Sequence, residues 1–169
     1  MAAPPKLPVI DAIEFARKGL AIHDTIALSQ FLRLSDLVSA DAELGYELSG
    51  YVDAESKPRL RLHMHGEAPL VCQRCLEPLA FVIDVDTDFI LVGDDSMIPP
   101  PDESDEMPDY LVATAEMRVI ELLEDELLLA LPYAPKHEDA CADNAGVKMN
   151  SEKQSPFAVL KGLKTRDRD

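Results

Sequence analysis

The residues of this chain best suited to chemistry are two cysteines, Cys72 and Cys75, which are separated by two residues. A Cys-x-x-Cys pair can bind a soft metal ion through its thiolates, or it can form a redox-active disulfide. Zinc in proteins usually takes four nitrogen or sulfur ligands, and His137 and Cys141 can supply the remaining two. The residue types and spacing therefore predict a candidate zinc site formed by Cys72, Cys75, His137 and Cys141.

The same thiols have two other interpretations. They can be structural thiols that bind no metal, which fits the residue types as well as zinc does. They can also form a thiol–disulfide redox pair, and this is the alternative function for the chain. Redox pairs of the thioredoxin kind lie where a strand meets a helix, whereas strand-like sequence flanks Cys72 and Cys75, and Pro78 follows them. The surroundings therefore disfavour redox chemistry.

A second candidate group is a run of carboxylates: Glu121, Glu124, Asp125 and Glu126. Closely spaced carboxylates can act as general acid and base, but such a run is more often the solvated face of a helix. We therefore predict no catalytic residues and a protein that is not an enzyme. We expect this face to be exposed and to bind a partner.

Strand-like alternation of apolar and polar residues runs through residues 46–52, 60–65 and 81–91. Lys57-Pro58 separates the first two runs and predicts a hairpin. In the third run, Asp84, Asp86 and Asp88 lie on the side opposite the apolar residues. We expect them to pair across strands with the arginines and histidines of residues 59–65, so His63 and His65 are predicted to line an exposed strand face rather than bind metal.

Two helices are predicted on either side of these strands. Asp11 is suited to cap a short helix that extends to Leu20. A longer helix is predicted from Thr114, as its N-cap, to Leu131, because apolar residues repeat at helical spacing and Pro132 then ends the pattern. Together the patterns predict an α+β fold, in which a largely antiparallel sheet is packed by the long helix of the C-terminal half.

The chain length of 169 residues predicts one domain with terminal extensions. Residues 1–10 are proline-rich and are expected to be flexible, whereas residues 11–141 are expected to form the single domain. Within it, residues 93–109 are acidic and proline-rich and are predicted to be a mobile loop. Residues 142–169 are predicted to be a polar linker followed by a short basic amphipathic tail.

Hydropathy predicts a soluble, cytoplasmic protein. The N-terminal residues contain no apolar stretch of the kind found in a signal peptide, and the apolar run Leu127–Leu131 is too short to span a bilayer. Three cysteines, an odd number, do not suggest the disulfide framework of a secreted domain. We therefore expect no membrane association and a reducing compartment.

Charge is distributed unevenly along the chain. The formal net charge is −16, and between Asp84 and Asp143 there are eighteen acidic residues against Arg118 and Lys136 alone. A surface of this sign repels phosphate backbones, so direct RNA binding through the acidic body is not expected. The same surface attracts basic proteins, although a general effect on solubility also explains the charge.

The motifs taken together resemble a known family. They are Cys-Gln-Arg-Cys-Leu-Glu-Pro at residues 72–78, Glu-Asp-Glu-Leu-Leu-Leu-Ala-Leu-Pro at 124–132, His137 with Cys141, and Pro-Phe-Ala-Val-Leu at 156–160. In order and spacing this set resembles the YceD family, the large ribosomal RNA subunit accumulation proteins. The resemblance implies a role in the synthesis, processing or stability of large-subunit ribosomal RNA, and it supplies no catalytic residues. Combined with the charge, it leads us to expect a non-enzymatic ribosome-biogenesis factor whose partner is a basic ribosomal protein or a large-subunit assembly factor.

Overall fold

A computed structural model of the protein describes residues 8–34, 42–100, 108–138 and 141. Most of the predicted flexible start (residues 1–7), the middle of the predicted acidic loop (101–107) and the whole predicted linker and tail (142–169) lie outside these ranges. The described elements are, in chain order, β1 (Val9–Ile10), α1 (Ala12–Arg17), β2 (Ala21–Ala27), β3 (Glu43–Val52), β4 (Pro58–Val71), β5 (Pro78–Val92), β6 (Asp109–Val112), β7 (Met117–Arg118) and α2 (Val119–Ala130). Short 3₁₀ turns also occur at Leu28–Gln30 and Asp95–Met97.

The main sheet contains five strands in the order β2-β3-β4-β5-β6. All neighbours are antiparallel except β5 and β6, which run parallel. Because each connection from β3 to β5 is a hairpin, the strands follow one another in space as they do in sequence. The α+β class with a largely antiparallel sheet is confirmed.

One face of the sheet forms the core because apolar residues occupy alternate positions of its strands. Leu44, Tyr46 and Leu48 of β3 pair in register with Gly66, Met64 and Leu62 of β4, and the apolar members of these pairs are buried. Both helices lie against the sheet, with α1 contacting β3 and β4 and α2 contacting β5. The central strands are therefore apolar on one face only.

The other face carries the predicted cross-strand charge pairs. Arg61 binds Asp86 through two hydrogen bonds of 2.6 and 2.8 Å, and His63 Nε2 lies 3.2 Å from Asp84 Oδ1. Arg59 contributes a longer contact of 3.5 Å to Asp88. These pairs lie on an exposed face, as predicted, and His63 also stacks on His65. Each exposed pair contributes roughly 0–1 kcal/mol, so their main effect is to favour one strand register.

Helix α1 begins as predicted, because the Asp11 carboxylate accepts a hydrogen bond of 2.9 Å from the Glu14 N–H. The helix is shorter than expected and is followed by Gly19, which adopts a left-handed φ of 62°. Glycine tolerates this conformation and allows the chain to turn directly into β2.

Helix α2 starts later than predicted. Thr114 is not its N-cap, and the helix begins at Val119 because Met117 and Arg118 pair with Ile10 and Val9 as a small antiparallel sheet. The helix ends at Ala130, with Leu131 as its C-cap, one residue before the predicted end and shortly before Pro132. Leu123 and Leu127 are fully buried, and each contributes roughly 1.5–3 kcal/mol through removal of apolar area from water. Neither this helix nor any other in the described part of the chain is long and apolar enough to cross a membrane.

Candidate metal centre and acidic helix face

Cys72 and Cys75 lie in the turn that connects β4 to β5, at the tip of the longest hairpin of the sheet. Val71 and Pro78 are the last paired residues of the two strands. The Cys72 N–H donates to the Glu77 carbonyl at 3.0 Å, and the Leu76 N–H donates to the Cys72 carbonyl at 2.9 Å. These two hydrogen bonds close the turn, so the ends of β4 and β5 hold both cysteines within one short turn.

Leu76 shows that the turn is under conformational constraint. Its φ is 62°, in the left-handed region that residues with a Cβ adopt at a cost of about 1–2 kcal/mol. The side chain is 73% exposed, so packing of the leucine does not repay that cost. The backbone bonds of the turn must therefore hold the conformation.

The segment after α2 is attached to the same turn. The Gln73 N–H, between the two cysteines, donates a hydrogen bond of 2.8 Å to the carbonyl of Pro135. Pro135 precedes His137 by two residues. The bond therefore anchors the chain close to the point at which the next candidate ligand occurs.

The four candidate ligands meet in the structure. One ligand atom from each of Cys72, Cys75, His137 and Cys141 lies within 4.8 Å of the others, and His137 Nδ1 is 3.7 Å from Cys141 Sγ. Tetrahedral zinc with Zn–S bonds of about 2.3 Å requires sulfur atoms about 3.8 Å apart, so an adjustment of about 1 Å at the widest pair is enough. Cys72 is buried and the other three are half-buried. The geometry and the Cys₃His donor set together make a group that can hold a metal ion, zinc being the ion such a set prefers.

The location of the turn also bears on the redox alternative. Low thiol pKa values in redox Cys-x-x-Cys proteins depend on a helix N-terminus next to the first cysteine. Here a strand precedes Cys72 and another strand begins at Pro78. The strand–turn–strand setting therefore lacks that source of thiolate stabilisation and fits a metal-binding turn better.

The four carboxylates of α2 do not form the uniform solvated face that we expected. Glu124 is buried, its side chain being 9% exposed. It accepts hydrogen bonds from the backbone N–H of Arg33 at 2.6 Å and from the Arg33 guanidinium at 2.8 Å. The expectation of a solvated Glu124 was wrong because helical geometry places this residue three positions before buried Leu127, on the side that faces the body.

Glu126 is also turned inward. The Thr87 hydroxyl of β5 donates to its carboxylate at 2.8 Å. Burial raises the pKa of Glu126, the charges of Asp109 and Asp125 raise it further, and the Thr87 hydrogen bond opposes the shift. Of the four carboxylates, Glu121 and Asp125 are the exposed ones, in ion pairs of 2.7 Å with Arg118 and Arg33 respectively.

Sequence reasoning missed Arg33 and the Gln73–Pro135 hydrogen bond. Arg33 lies 91 positions from Glu124, and no local pattern marks it as a partner. The Gln73 bond uses backbone atoms only, so side-chain identity carries no signal for it. In contrast, the candidate metal ligands were found from their residue types alone.

The fold and site define a class of protein: a small α+β protein with a Cys₃His candidate metal centre at the tip of a sheet hairpin. A family model described as "Large ribosomal RNA subunit accumulation protein YceD" matches residues 60–164, a range that contains most of β4, all of β5 and α2, and all four candidate ligands. The chain belongs to the YceD family.

A curated relative supports this assignment over nearly the whole length. The protein "Large ribosomal RNA subunit accumulation protein YceD" of Haemophilus influenzae is 30% identical over 176 residues, which cover 95% of this chain and 98% of the relative. No solved structure was found to match the chain. The family name supports a role in the accumulation of large-subunit ribosomal RNA.

Proposed function

We propose that this protein is a non-enzymatic, cytoplasmic ribosome-biogenesis factor that supports large-subunit ribosomal RNA by binding a basic protein. The partner is a ribosomal protein or a large-subunit assembly factor. Membership of the YceD family supports the process, and the charge distribution supports the partner. RNA accumulation is then affected indirectly, through a protein that itself binds RNA.

The observation that carries this proposal is the concentration of negative charge. Residues 84–143 hold eighteen of the 32 acidic residues of the chain and two of its 16 lysines and arginines. Such a surface accelerates the approach of a basic protein and repels ribosomal RNA. Of the four carboxylates of α2 that the sequence suggested as partner-binding residues, only Glu121 and Asp125 are exposed. These two side chains are therefore the predicted contact residues.

The test compares protein and RNA capture by the full-length chain. The tagged protein is incubated with purified large-subunit ribosomal proteins or with protein-free large-subunit ribosomal RNA, and association is followed at about 0.05 M and about 0.3 M salt. We expect capture of one or a few basic proteins that slows markedly at the higher salt, because exposed charges act through screened attraction. We expect little binding of bare RNA.

A matched pair of double variants locates the contact surface. Glu121→Gln with Asp125→Asn should weaken capture, whereas Glu43→Gln with Glu55→Gln, which removes the same charge from exposed positions outside the acidic region, should not. Equal weakening by both pairs would indicate a general charge effect and contradict a specific surface. Tight binding to bare RNA that is lost on neutralising Lys161, Lys164, Arg166 and Arg168 would replace the proposal with an RNA-binding tail.

We also propose that Cys72, Cys75, His137 and Cys141 hold a structural zinc ion. Their convergence within 4.8 Å supports this assignment. Bound zinc would supply four strong bonds that fix the hairpin tip to the chain beyond α2. The residues of the turn would then present a rigid surface without taking part in a reaction.

Metal content tests the zinc proposal directly. Full-length protein purified from zinc-supplemented cells should contain about one equivalent of zinc by elemental analysis. His137→Ala and Cys75→Ser should lower that content strongly, whereas His65→Ala, a histidine outside the group, should leave it unchanged. Wild-type protein without metal, together with a reactive thiol of low pKa, would support the thiol–disulfide alternative instead.

A further inference from the structure

The longest strand of the sheet has an edge that the described strands leave open. β4 pairs with β5 from Val71↔Pro78 to Arg59↔Ile90, but on the other edge β6 pairs only with Phe89–Val92. Within the ranges that the structure describes, no strand pairs with that edge between Leu79 and Asp86. The backbone groups that point away from β4 there are available to an added strand.

The sequence along this edge favours strand addition. Residues 79–86 read Leu-Ala-Phe-Val-Ile-Asp-Val-Asp, in which four of the eight residues are aromatic or β-branched and none is lysine, proline or glycine. Phe81 and Val85 pack only partly against the core, and Val82 is 71% exposed on the opposite face. An added strand would complete the burial of these side chains on both faces.

Charge selects the kind of strand that fits. Asp84 and Asp86 lie two positions apart, so both project from the same face of β5. Asp86 binds Arg61, whereas the ion-pair contact that Asp84 makes within the described residues is with His63, and its side chain is 78% exposed. Carboxylates accept several hydrogen bonds, so both can also receive a lysine or arginine from the open side.

We propose that the Leu79–Asp86 edge of β5 binds an extended segment of the basic partner as an additional antiparallel strand. The segment would carry lysine or arginine at alternate positions opposite Asp84 and Asp86, and apolar residues opposite Phe81, Ile83 and Val85. A second copy of this chain fits less well, because an antiparallel copy would bring aspartates of one edge close to those of the other. The inference rests on the proposed function, since it specifies how the basic partner is held.

The probe is a capped peptide of sequence Lys-Val-Lys-Val-Thr-Val-Thr-Val, which places its two lysines opposite Asp86 and Asp84 in an antiparallel pairing. One control peptide has glutamate in place of both lysines. The second keeps every side chain but is N-methylated at alternate backbone amides, which removes the hydrogen bonds that a strand donates. Binding to the full-length protein is measured by calorimetry, and amide exchange is measured residue by residue by NMR.

Binding of the lysine peptide should slow exchange of the outward-facing amides between Leu79 and Asp86 by at least about tenfold. The glutamate and N-methylated peptides should bind at least about tenfold more weakly. Asp84→Lys should weaken binding by about tenfold, because it opposes the peptide charge at the proposed contact. Glu55→Lys changes the net charge of the protein equally, at the exposed turn between β3 and β4, and should have less than about a threefold effect.

Four outcomes would overturn the inference: no binding, equal binding of the N-methylated peptide, protection of the same outward-facing amides in the protein alone, or loss of binding with Glu55→Lys rather than Asp84→Lys. The third would mean that another part of this chain already covers the edge. Failure here is separable from failure of the proposed function. If Asp84→Lys captures ribosomal proteins normally while the Glu121 and Asp125 double variant does not, the basic partner stands and the strand-addition mode falls.

Discussion

Individual carboxylates on α2 have different physical roles because the helix turns each toward a different environment. Glu121 and Asp125 are exposed, Glu124 is enclosed by bonds to Arg33, and Glu126 reaches Thr87 on the sheet. A buried carboxylate is stable only when its hydrogen-bonding capacity is used, and Arg33 supplies both a backbone and a side-chain donor. Acidic residues in one short stretch can thus be exposed, anchor a distant part of the chain, or pack against the sheet.

The Glu124–Arg33 contact predicts a stability difference between neighbouring glutamates. Glu124→Ala should lower the free energy of unfolding by about 1–3 kcal/mol, because it removes a buried carboxylate that accepts two hydrogen bonds from Arg33. Glu121→Ala, on the exposed face, should change it by less than about 0.5 kcal/mol. Urea unfolding of the full-length variants measures both values. Equal small effects would mean that the Arg33 bonds are replaced by water at no cost.

The raised pKa of Glu126 predicts a pH-dependent substitution effect. A carboxyl group whose pKa is raised in the folded state favours folding while it is protonated, and this contribution is lost as pH rises through the folded pKa. Glu126→Gln removes the titration yet can still accept the Thr87 hydrogen bond. The variant should therefore melt higher than wild type at pH 7, and the difference should shrink below about pH 4, where the glutamate is neutral in both states.

Melting curves across this pH range provide the measurement. Glu121→Gln serves as the control, because it relieves the same amount of net negative charge at an exposed site. A stability gain for Glu126→Gln that is independent of pH, or that Glu121→Gln reproduces, would show that burial of the carboxylate is not its cause.

At the scale of elements, α1 is positioned by a close approach to β3 at Gly50. A Cβ at this position would lie 2.7 Å from the Ala16 Cα and 2.8 Å from the Phe15 carbonyl oxygen, which is closer than van der Waals contact permits. The Gly50 N–H also donates to the Leu20 carbonyl at 2.8 Å. Glycine is therefore needed for the helix to pack directly on the strand.

Gly50→Ala should displace α1 and lower the free energy of unfolding by about 1–3 kcal/mol through overpacking. Gly93→Ala is the matched control, because a Cβ there would meet only the Met97 sulfur at an ordinary 3.6 Å. Chemical denaturation of both variants tests the difference. If Gly50→Ala is as stable as Gly93→Ala, α1 must be able to shift on the sheet without loss of packing.

Sequence periodicity predicted the central strands because one face of each is buried and the other is exposed to solvent. Alternation in residues 46–52, 60–65 and 81–91 therefore identified β3, β4 and β5 and the side on which Asp84 and Asp86 lie. The start of α2 could not be found in this way. Two residues of pairing between β1 and β7 displaced it from Thr114 to Val119, and so short a contact leaves no period to detect.

At the scale of the whole molecule, long-range contacts were predictable only where residue type restricts the possible partners. Cysteine and histidine at metal-ligand spacing are few in this chain, so Cys72, Cys75, His137 and Cys141 could be grouped before the fold was known. Arginine and glutamate are common, so the Arg33–Glu124 pair had many equivalent alternatives. The distinction reflects how many partners each residue type could have, rather than how strongly it interacts.

The net charge of −16 has opposite consequences for folding and for partner capture. Self-repulsion opposes the compact state, and added salt screens it, so stability should rise with ionic strength. Salt also weakens the ion pairs on the sheet face, but exposed pairs each contribute little. Because the chain has 32 acidic and only 16 basic residues, we expect the repulsion between acidic groups to be larger than the attraction within the ion pairs.

We therefore expect the melting temperature to rise by about 2–4 °C, equivalent to about 1 kcal/mol, between about 0.02 M and about 0.3 M sodium chloride. Potassium chloride should give the same curve if screening rather than specific ion binding is responsible. Over the same range, association with the proposed basic partner should slow. Because the melting temperature is expected to rise over this range, loss of capture at high salt cannot be caused by unfolding. A melting temperature that falls with salt would mean that the ion pairs of Arg33, Arg59 and Arg61 outweigh the net repulsion, and that the acidic surface is balanced locally within the fold rather than left available for a partner.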